Sequence, residues 1–413
     1  MTDSNTPTAG AATGTGVRSR PRAVLPALCA TQITSWGIVY YAFPVLLSRI
    51  TADTGWSSGA TTGAFSLALL VSAAAGVPIG RVLDRRGPHL IMTGGSALAV
   101  TGVLAAAAAP NLLVFYAAWA LTGIAMAATF YQPAFAALTR WWAPDHVRAL
   151  TVVTLAGGLA STVFAPLTAV LAEHLDWRAT YLVLAGVLAA ITLPAHALAL
   201  RAPWPPAPQP QISEQPTGAD QTARSGPFAL LATAFTLSGF AMYAVVIGLV
   251  PLLEERGASS TTAAWALGLG GVGQTLGRTL YSTLATRVTV TSRTTVLIAL
   301  GGATTAALAL VPGPIPLLVL FSVLAGVVRG NLTLLQATAV TDRWGTTHYG
   351  RLSALLTAPA TIAAALAPWA GVALAGLLGG YGGLFLALSG CSFAATLLAT
   401  KTAPREKTGP TGV

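Results

Sequence analysis

Long apolar runs separated by short charged turns dominate this chain and limit the folds open to it. The clearest turn is GRVLDRRGPH at 80–89, because the runs 59–79 and 90–109 on either side contain no ionisable side chain. A helix needs roughly 20 apolar residues to cross the ~30 Å hydrocarbon core of a bilayer. A charged turn cannot lie in hydrocarbon, so the chain must leave the membrane at 80–89 and return at once.

Twelve runs of this kind lie along the 413 residues, at about 23–47, 59–79, 89–109, 112–138, 149–171, 179–200, 227–252, 261–285, 294–312, 314–338, 351–375 and 380–400. With 54% hydrophobic residues, the chain has more apolar surface than a soluble core buries. We therefore predict an all-α integral membrane fold of twelve transmembrane helices in two pseudo-symmetric six-helix halves. The predicted parts are a disordered tail 1–22, a first bundle 23–200, a flexible linker 201–226, a second bundle 227–400 and a tail 401–413.

The positive charges lie mostly on one side of the predicted membrane. Assigning alternate loops to one side places 17 of the 22 Lys and Arg residues together, with three on the other side and two inside apolar runs. This is the positive-inside pattern, so we predict a multi-pass protein of the cytoplasmic (inner) membrane with both termini cytoplasmic. The net charge of +10 then reflects loop placement, and we expect a lipid bilayer as partner and no nucleic acid.

An internal repeat relates the two predicted halves. Shifting the chain by 203 residues matches Gly123 with Gly326, Arg140-Trp141 with Arg343-Trp344, and Arg148 with Arg351. Shifting it by 202 places the stretch that begins at Gly55 on the one that begins at Gly257. Two parallel six-helix repeats around a site at the membrane midplane are typical of secondary transporters that work by alternating access.

The turn 80–89 resembles the signature loop of the major facilitator superfamily, G-x-x-x-D-R-x-G-R-R between helices 2 and 3. Gly80, Asp84, Arg85 and Gly87 match, whereas the two final arginines are replaced by Pro and His. The variant D-R-x-G-P, with Gly-Trp-Ser before helix 2, is similar to bacterial relatives of monocarboxylate carriers and oxalate/formate exchangers. The resemblance implies a gating latch that locks the cytoplasmic side, and an ordinary polar turn is the alternative.

Physical chemistry gives two of these latch residues a role. Glycine at Gly80 allows close contact with a neighbouring helix. The carboxylate of Asp84 can meet a helix N-terminus or an arginine such as Arg140.

Two arginines are the only charged residues deep in the predicted spans, because all 12 acidic residues fall outside them. Arg278 lies in helix 8 and Arg329 in helix 10. A buried guanidinium without a carboxylate is costly, and a substrate carboxylate would bind it bidentately, so we predict an anion-binding cavity. The alternative is that Arg278 reaches the membrane interface and Arg329 binds backbone carbonyls.

The family resemblance adds detail to this site. Monocarboxylate carriers have an Asp and an Arg four residues apart in helix 8, where this chain has Gln274 and Arg278. The resemblance thus implies that Arg278 binds substrate, but the carboxylate that handles protons is missing. The helix 11 lysine of the exchangers also has no counterpart, and by position Arg329 is the candidate second cation.

Aromatic and polar residues complete the predicted cavity. They are Trp36, Tyr40 and Tyr41 in helix 1, with Tyr131 and Gln132 at the end of helix 4. Packing between helices would explain the same aromatic residues equally well. The G-x-G-x-x-G spacing that ends at Gly273 lies inside an apolar span, so we interpret it as helix packing and not as a nucleotide site. We expect His196 at the membrane interface.

These features favour a secondary carrier of a small organic anion, with no catalytic residues, cofactor or metal, that acts as a monomer. The alternative is efflux of a drug or secondary metabolite through an aromatic pocket. An enzyme would need a nucleophile, a metal cluster or an acid pair within the spans, and none is present in the sequence. The sequence also has no P-loop, which disfavours transport driven by ATP.

Overall fold

The computed structural model describes residues 21–142, 146–204, 217–345 and 349–402. The predicted N-terminal tail up to residue 20, the linker segment 205–216 and the C-terminal tail from residue 403 lie outside the described residues.

Twelve long helices account for most of the described chain. In the first half they are α1 (Val24–Thr54), α2 (Ser58–Arg86), α3 (Pro88–Ala107), α4 (Leu112–Trp141), α5 (His146–His174) and α6 (Trp177–Ala199). In the second half they are α7 (Gly226–Glu255), α8 (Ser260–Arg287), α9 (Val290–Leu310), α10 (Ile315–Trp344), α11 (Tyr349–Leu377) and α12 (Tyr381–Thr400). A short linker helix, Thr217–Ala223, lies between the halves.

Eleven of these helices, within the described residues, are long and apolar enough to cross a membrane. The remaining helix, α8, has 28 residues and is long enough, but its glycines, threonines and two polar side chains, Gln274 and Arg278, make it less apolar. We assign α8 to the membrane with the others because it packs along α10 and α5.

Side-chain caps start many of the helices. An oxygen of the capping side chain accepts a hydrogen bond from a free backbone N–H of the first turn, which a helix cannot satisfy internally. These caps are Ser57, Asn111, Asp176, Ser259 and Thr289. At the other end, α1 and α2 stop at Gly55 and Gly87, whose φ angles of 71° and 79° favour glycine.

Three helices of the first half are irregular near their middles. Helix α1 contains a six-residue π-helical segment, Trp36–Tyr41. Helix α4 is interrupted at the extended residue Phe130, and α5 is interrupted at Leu159. Such irregular turns often occur at functional sites, and those in α1 and α4 carry most of the aromatic residues predicted to line the cavity.

The internal repeat is visible in the contacts that close the helix ends. Arg178 donates to the carbonyl of Ala107 (2.7 Å) at the end of α3, and Arg256 donates to that of Ala309 (2.6 Å) at the end of α9. Asp53 accepts from the indole of the first residue of α6 (2.8 Å), and Glu255 accepts from the first backbone N–H of α12 (3.0 Å). The positions related by 202 residues are Ala107 and Ala309, and Asp53 and Glu255.

The two ends of the bundle differ in charge. We call one end the basic end, after Arg81, Arg85, Arg86, Arg140 and Arg201, and the other the acidic end, after Asp53, Glu173, Asp176, Glu254 and Glu255. The halves meet where α5 packs on α8, α2 on α11 and α1 on α7. We call the contact between α5 and α8 the seam.

Hydrogen bonds join the halves from the acidic end toward the basic end. Along the seam they run from Thr261 to Glu173, from Thr162 to the carbonyl of Gly268 (2.8 Å), and from Arg278 to the carbonyl of Thr154. Between α2 and α11, the backbone N–H of Trp369 donates to Ser66 (3.1 Å). Within the described residues, the Arg278 bond is the hydrogen bond across the seam that lies nearest the basic end.

The prediction for His196 is wrong, because this side chain is fully buried within the first half. Its Nε2 lies 3.0 Å from the Thr31 hydroxyl and its Nδ1 lies 2.7 Å from the Ser96 hydroxyl. One ring nitrogen donates and the other accepts, and the tautomer of the ring decides which. The ring therefore ties α1, α3 and α6 together.

Candidate functional site

Direct backbone contact between α8 and α10 positions the predicted site. A Cβ at Gly326 would lie 2.0 Å from the carbonyl oxygen of Gly270, and one at Gly330 would lie 2.1 Å from that of Gln274. No side chain fits at these positions, so the two helices approach as closely as backbones allow. The glycine spacing in α8 is therefore a packing surface, as predicted, and it holds Gln274 and Arg278 rigidly against α10.

Arg278 crosses the seam between the halves. Its side chain is 8% exposed, and Nη1 donates to the carbonyl of Thr154 on α5. The guanidinium also lies within hydrogen-bonding reach of the Tyr131 hydroxyl on α4, while Nε has no partner. Its contacts with the first half rule out the alternative in which Arg278 extends to the membrane interface.

Arg329 lies on α10 and lines a cavity inside the second half. Its Nε and Nη2 are buried without a hydrogen-bond partner, so the alternative that these nitrogens bind backbone carbonyls is not seen. The guanidinium is close enough to Tyr40 and Tyr243 to interact with them electrostatically. Direct binding of substrate by Arg329 remains a prediction.

Tyrosine side chains surround the two arginines. Tyr131 faces Arg278, and Tyr243 on α7 interacts electrostatically with both arginines and with Tyr41. Tyr243 was not among the residues predicted from the sequence. The internal repeat could have identified Tyr243, because a shift of 202 residues places Tyr41 on Tyr243.

The remaining predicted residues divide into two groups. Trp36 stacks on Phe130 with ring centroids 4.1 Å apart, and it also contacts Tyr40 at 5.4 Å and Tyr131 at 5.2 Å. The structure thus brings the aromatic residues of α1 and α4 together. Gln132, by contrast, is exposed.

Eight of the buried polar atoms without hydrogen-bond partners belong to predicted site residues or to residues of the seam. They are Trp36 Nε1, Tyr40 OH, Ser161 Oγ, Gln274 Oε1, Thr275 Oγ1, Arg278 Nε, and Nε and Nη2 of Arg329. Buried polar atoms in proteins are nearly always hydrogen-bonded. No acidic side chain among the described residues forms an ion pair with Arg278 or Arg329, so each guanidinium has an unused donor and an uncompensated positive charge.

The predicted contact between Asp84 and Arg140 is present at the basic end. Arg140 Nη2 donates to the Asp84 carboxylate (2.9 Å), and Nη1 donates to its backbone carbonyl (3.0 Å). Trp204, at the start of the linker, donates to the same carbonyl (3.2 Å) and lies 4.6 Å from the Arg140 guanidinium. Gly87 lies beneath this indole, where a Cβ would be 3.1 Å away. A gating role for these residues and for the exposed Arg85 remains a prediction.

The expected close helix contact at Gly80 is wrong for this structure, since nothing lies within 4 Å of a Cβ built there. The reason is that α2 meets α11 nearer the acidic end, where Ser66 accepts the Trp369 bond. Toward the basic end α2 has exposed side chains, among them Val77 and Val82.

A family model described as Major Facilitator Superfamily matches residues 28–253 and 229–413. The chain belongs to the major facilitator superfamily. Membership confirms the resemblance drawn from the turn 80–89.

Several curated relatives align with part of the chain. Monocarboxylate transporter 13 of Bos taurus is 27% identical over 254 residues, which cover 61% of this chain and 57% of that protein. Monocarboxylate transporter 11 of Homo sapiens is 29% identical over 251 residues, covering 59% and 51%. Transcription regulatory protein OpdE of Pseudomonas aeruginosa is 34% identical over 192 residues, covering 43% and 46%. The chain thus spans about half the length of the curated relatives it matches.

Solved structures of superfamily members share the whole fold. A bacterial homolog of the human lysosomal transporter Spinster, in an inward-facing and occupied conformation, aligns with a TM-score of 0.72 at 14% identity, covering 92% of this chain and 97% of that one. The nucleoside transporter NupG aligns with a TM-score of 0.74 at 14% identity, covering 92% and 98%. The predicted all-α membrane fold is therefore confirmed.

Proposed function

We propose that this protein is a secondary transporter that carries a small organic anion with a carboxylate group across the cytoplasmic membrane. The observation that carries the proposal is the buried guanidinium of Arg278, which lies between the halves with Nε unpartnered and forms no ion pair with the described acidic residues. A carboxylate provides the missing negative charge and two acceptor oxygens. The names of the monocarboxylate transporters among the relatives agree with this substrate class.

The binding step is an exchange of acceptors at Arg278. In this structure its Nη1 binds the neutral carbonyl of Thr154. A carboxylate is the better acceptor, because hydrogen bonds between ionised partners are roughly twice as strong as neutral ones. The nearby Tyr131 hydroxyl adds a donor, and the stacked rings of Trp36 and Phe130 provide an apolar wall for the rest of the substrate.

Alternating access supplies the transport step. The polar contacts between the described parts of the halves run from the acidic end to Arg278, which supports a state that is closed at the acidic end and open at the basic end. The positive-inside pattern favours a cytoplasmic location for the basic end. In the opposite state the basic ends of α2 and α11 close, Gly80 approaches α11, and the latch of Asp84 and Arg140 holds the closed gate.

The site favours exchange or facilitated passage over proton symport through α8. The position four residues before Arg278 holds Gln274, a neutral side chain that does not bind or release a proton. Its Oε1 is buried without a partner and is available to accept a hydroxyl or N–H of the substrate. Transport should therefore depend little on a pH gradient.

Counterflow in proteoliposomes, with a panel of mono- and dicarboxylates at two pH values, tests the proposal. Arg278→Gln removes a charge-assisted contact worth about 1.5–3 kcal/mol, so substrate affinity should fall by about 10- to 150-fold. Arg287→Gln is the matched control, because Arg287 lies on the same helix and is exposed. Full carboxylate transport by Arg278→Gln, in protein that reaches the membrane, would refute the anion site. Undiminished transport of uncharged aromatic compounds by that variant would instead favour efflux.

A further inference from the structure

The centre of the first half is packed with aromatic rings. Phe43 and Phe65 stack with centroids 4.5 Å apart, and Trp119 meets them edge-on at 5.1 Å and 5.2 Å. All three side chains are at most 2% exposed. No small ligand fits among rings packed in this way.

The second half carries smaller residues at the equivalent positions. The shift of 202 residues, which relates α1 to α7 and α2 to α8, and the shift of 203, which relates α4 to α10, define the equivalents. The replacements are Trp36 by Ser238, Tyr40 by Met242, Phe43 by Val245, Phe65 by Leu267 and Trp119 by Ser322. All five smaller residues line one cavity of about 50 Å³. The second half therefore contains a cavity where the first half contains aromatic rings.

A positive charge accompanies this cavity. Arg329, which lines it, occupies the position of the buried Met126 in the first half. Its Nε and Nη2 are buried without partners, and no acidic residue lines the cavity. Hydroxyls are the other polar groups of the lining, from Ser238, Thr304, Thr305, Ser322 and Ser392.

Water alone would not complete this site. Water molecules can accept from Nε and Nη2, but they leave the charge of Arg329 uncompensated in an apolar bundle, which is costly. The hydroxyls of Thr305 and Ser322 donate to carbonyls of their own helices (2.8 Å and 2.9 Å). A hydroxyl can rotate to donate elsewhere, so both side chains can turn their protons toward a bound anion.

We propose that this cavity is a resident site for a small inorganic anion of halide size, bound by Arg329 and the hydroxyls of Ser322 and Thr305. About 10–15 Å³ of cavity holds one water, so a cavity of about 50 Å³ accepts a halide with a few waters. Every residue that lines it belongs to the second half, so the site moves with that half when the halves rock. A bound halide compensates the charge of Arg329, and Arg278 is left as the uncompensated cation at the seam.

Bromide is the probe for this site. Purified protein is melted in sodium methanesulfonate, which has no carboxylate, and in sodium bromide at equal ionic strength, and the melting temperature should rise with bromide until the effect saturates. Arg329→Met, which installs the first-half residue, should lose the rise, and Ser322→Ala should shift it to higher bromide concentration. Arg278→Gln should keep it, because the halide site does not depend on the proposed carboxylate site. Diffraction from wild-type crystals grown in bromide should show an anomalous peak in the cavity.

Four results would overturn the proposal. The cavity holds only water if wild-type protein shows no bromide-specific rise, or if bromide crystals show no peak there. Halides act elsewhere if Arg329→Met retains the full rise. The cavity is a carboxylate subsite if acetate or oxalate reproduces the rise at the same concentration. The crystals decide the question if Arg329→Met does not fold.

Discussion

Substituting Gly158 by alanine tests whether the tight seam between α5 and α8 belongs to one conformational state. A Cβ at Gly158 would lie 2.7 Å from Thr275 Oγ1 and 3.2 Å from Arg278 Nη1, whereas ordinary contacts begin at 3.4 Å. Either these side chains or the seam itself must therefore move by about 0.7 Å at this level. Both neighbours are ends of side chains, so the protein should still fold. Overpacking of this kind costs about 1–3 kcal/mol, which reduces the population of the described state about 5- to 150-fold relative to a state with a looser seam.

Distances between spin labels measure this shift. Labels replace Val82 on α2 and Leu355 on α11, two exposed residues toward the basic end, after Cys29 and Cys391 are changed to serine. Gly158→Ala should add a population with a shorter distance, because loss of the described state favours closure of the basic end. The control is Gly186→Ala on α6, where a Cβ has nothing within 4 Å. Identical distance distributions for the two variants would refute the argument that the seam sets the conformational equilibrium.

Two further substitutions test the latch and the glycine contact. Asp84→Asn removes the ion pair with Arg140. Because the Asp84 side chain is 63% exposed, the free energy of unfolding should change by less than about 1 kcal/mol. Counterflow should slow several-fold if the latch holds the closed gate. If Asp84→Asn keeps the wild-type counterflow rate, the turn 80–89 is an ordinary loop without a gating role. Gly330→Ala places a Cβ 2.1 Å from the backbone oxygen of Gln274, so the melting temperature should fall sharply, whereas Gly390→Ala meets nothing within 4 Å and should behave as wild type. Equal melting curves for both glycine variants would contradict the backbone contact between α8 and α10.

The sequence predicted the helices well because hydrocarbon thickness imposes a length on each apolar run. It did not predict the breaks at Phe130 and Leu159 or the π-helical segment, since these depend on how neighbouring helices pack. Pro133 follows the break in α4, but α4 continues beyond it to Trp141. A proline restricts the backbone of its own helical turn. The conformation of the turn before it depends on how other helices pack against that turn.

The candidate site could be predicted from the sequence where charge and depth mark a residue. Arg278 was identified in this way, but its partner, the carbonyl of Thr154, was not, because any residue has a backbone carbonyl. His196 was misplaced for a related reason. Its partners Ser96 and Thr31 lie 100 and 165 residues away in the chain, so no local pattern reveals them.

The π-helical segment of α1 holds one more residue per turn than an α-helix would. If residues 36–41 rewound as an α-helix, each residue would turn 100° about the helix axis and rise 1.5 Å along it. The rewound segment would hold one residue fewer, so the extra residue would move into the adjoining part of α1. The part of α1 before the segment would then rotate by about 100° relative to the part after it. That rotation would break the bond of 2.7 Å from Gln32 to the carbonyl of Thr129 and unstack Trp36 from Phe130. Rewinding of this segment would therefore reshape the aromatic wall without any movement of the two halves.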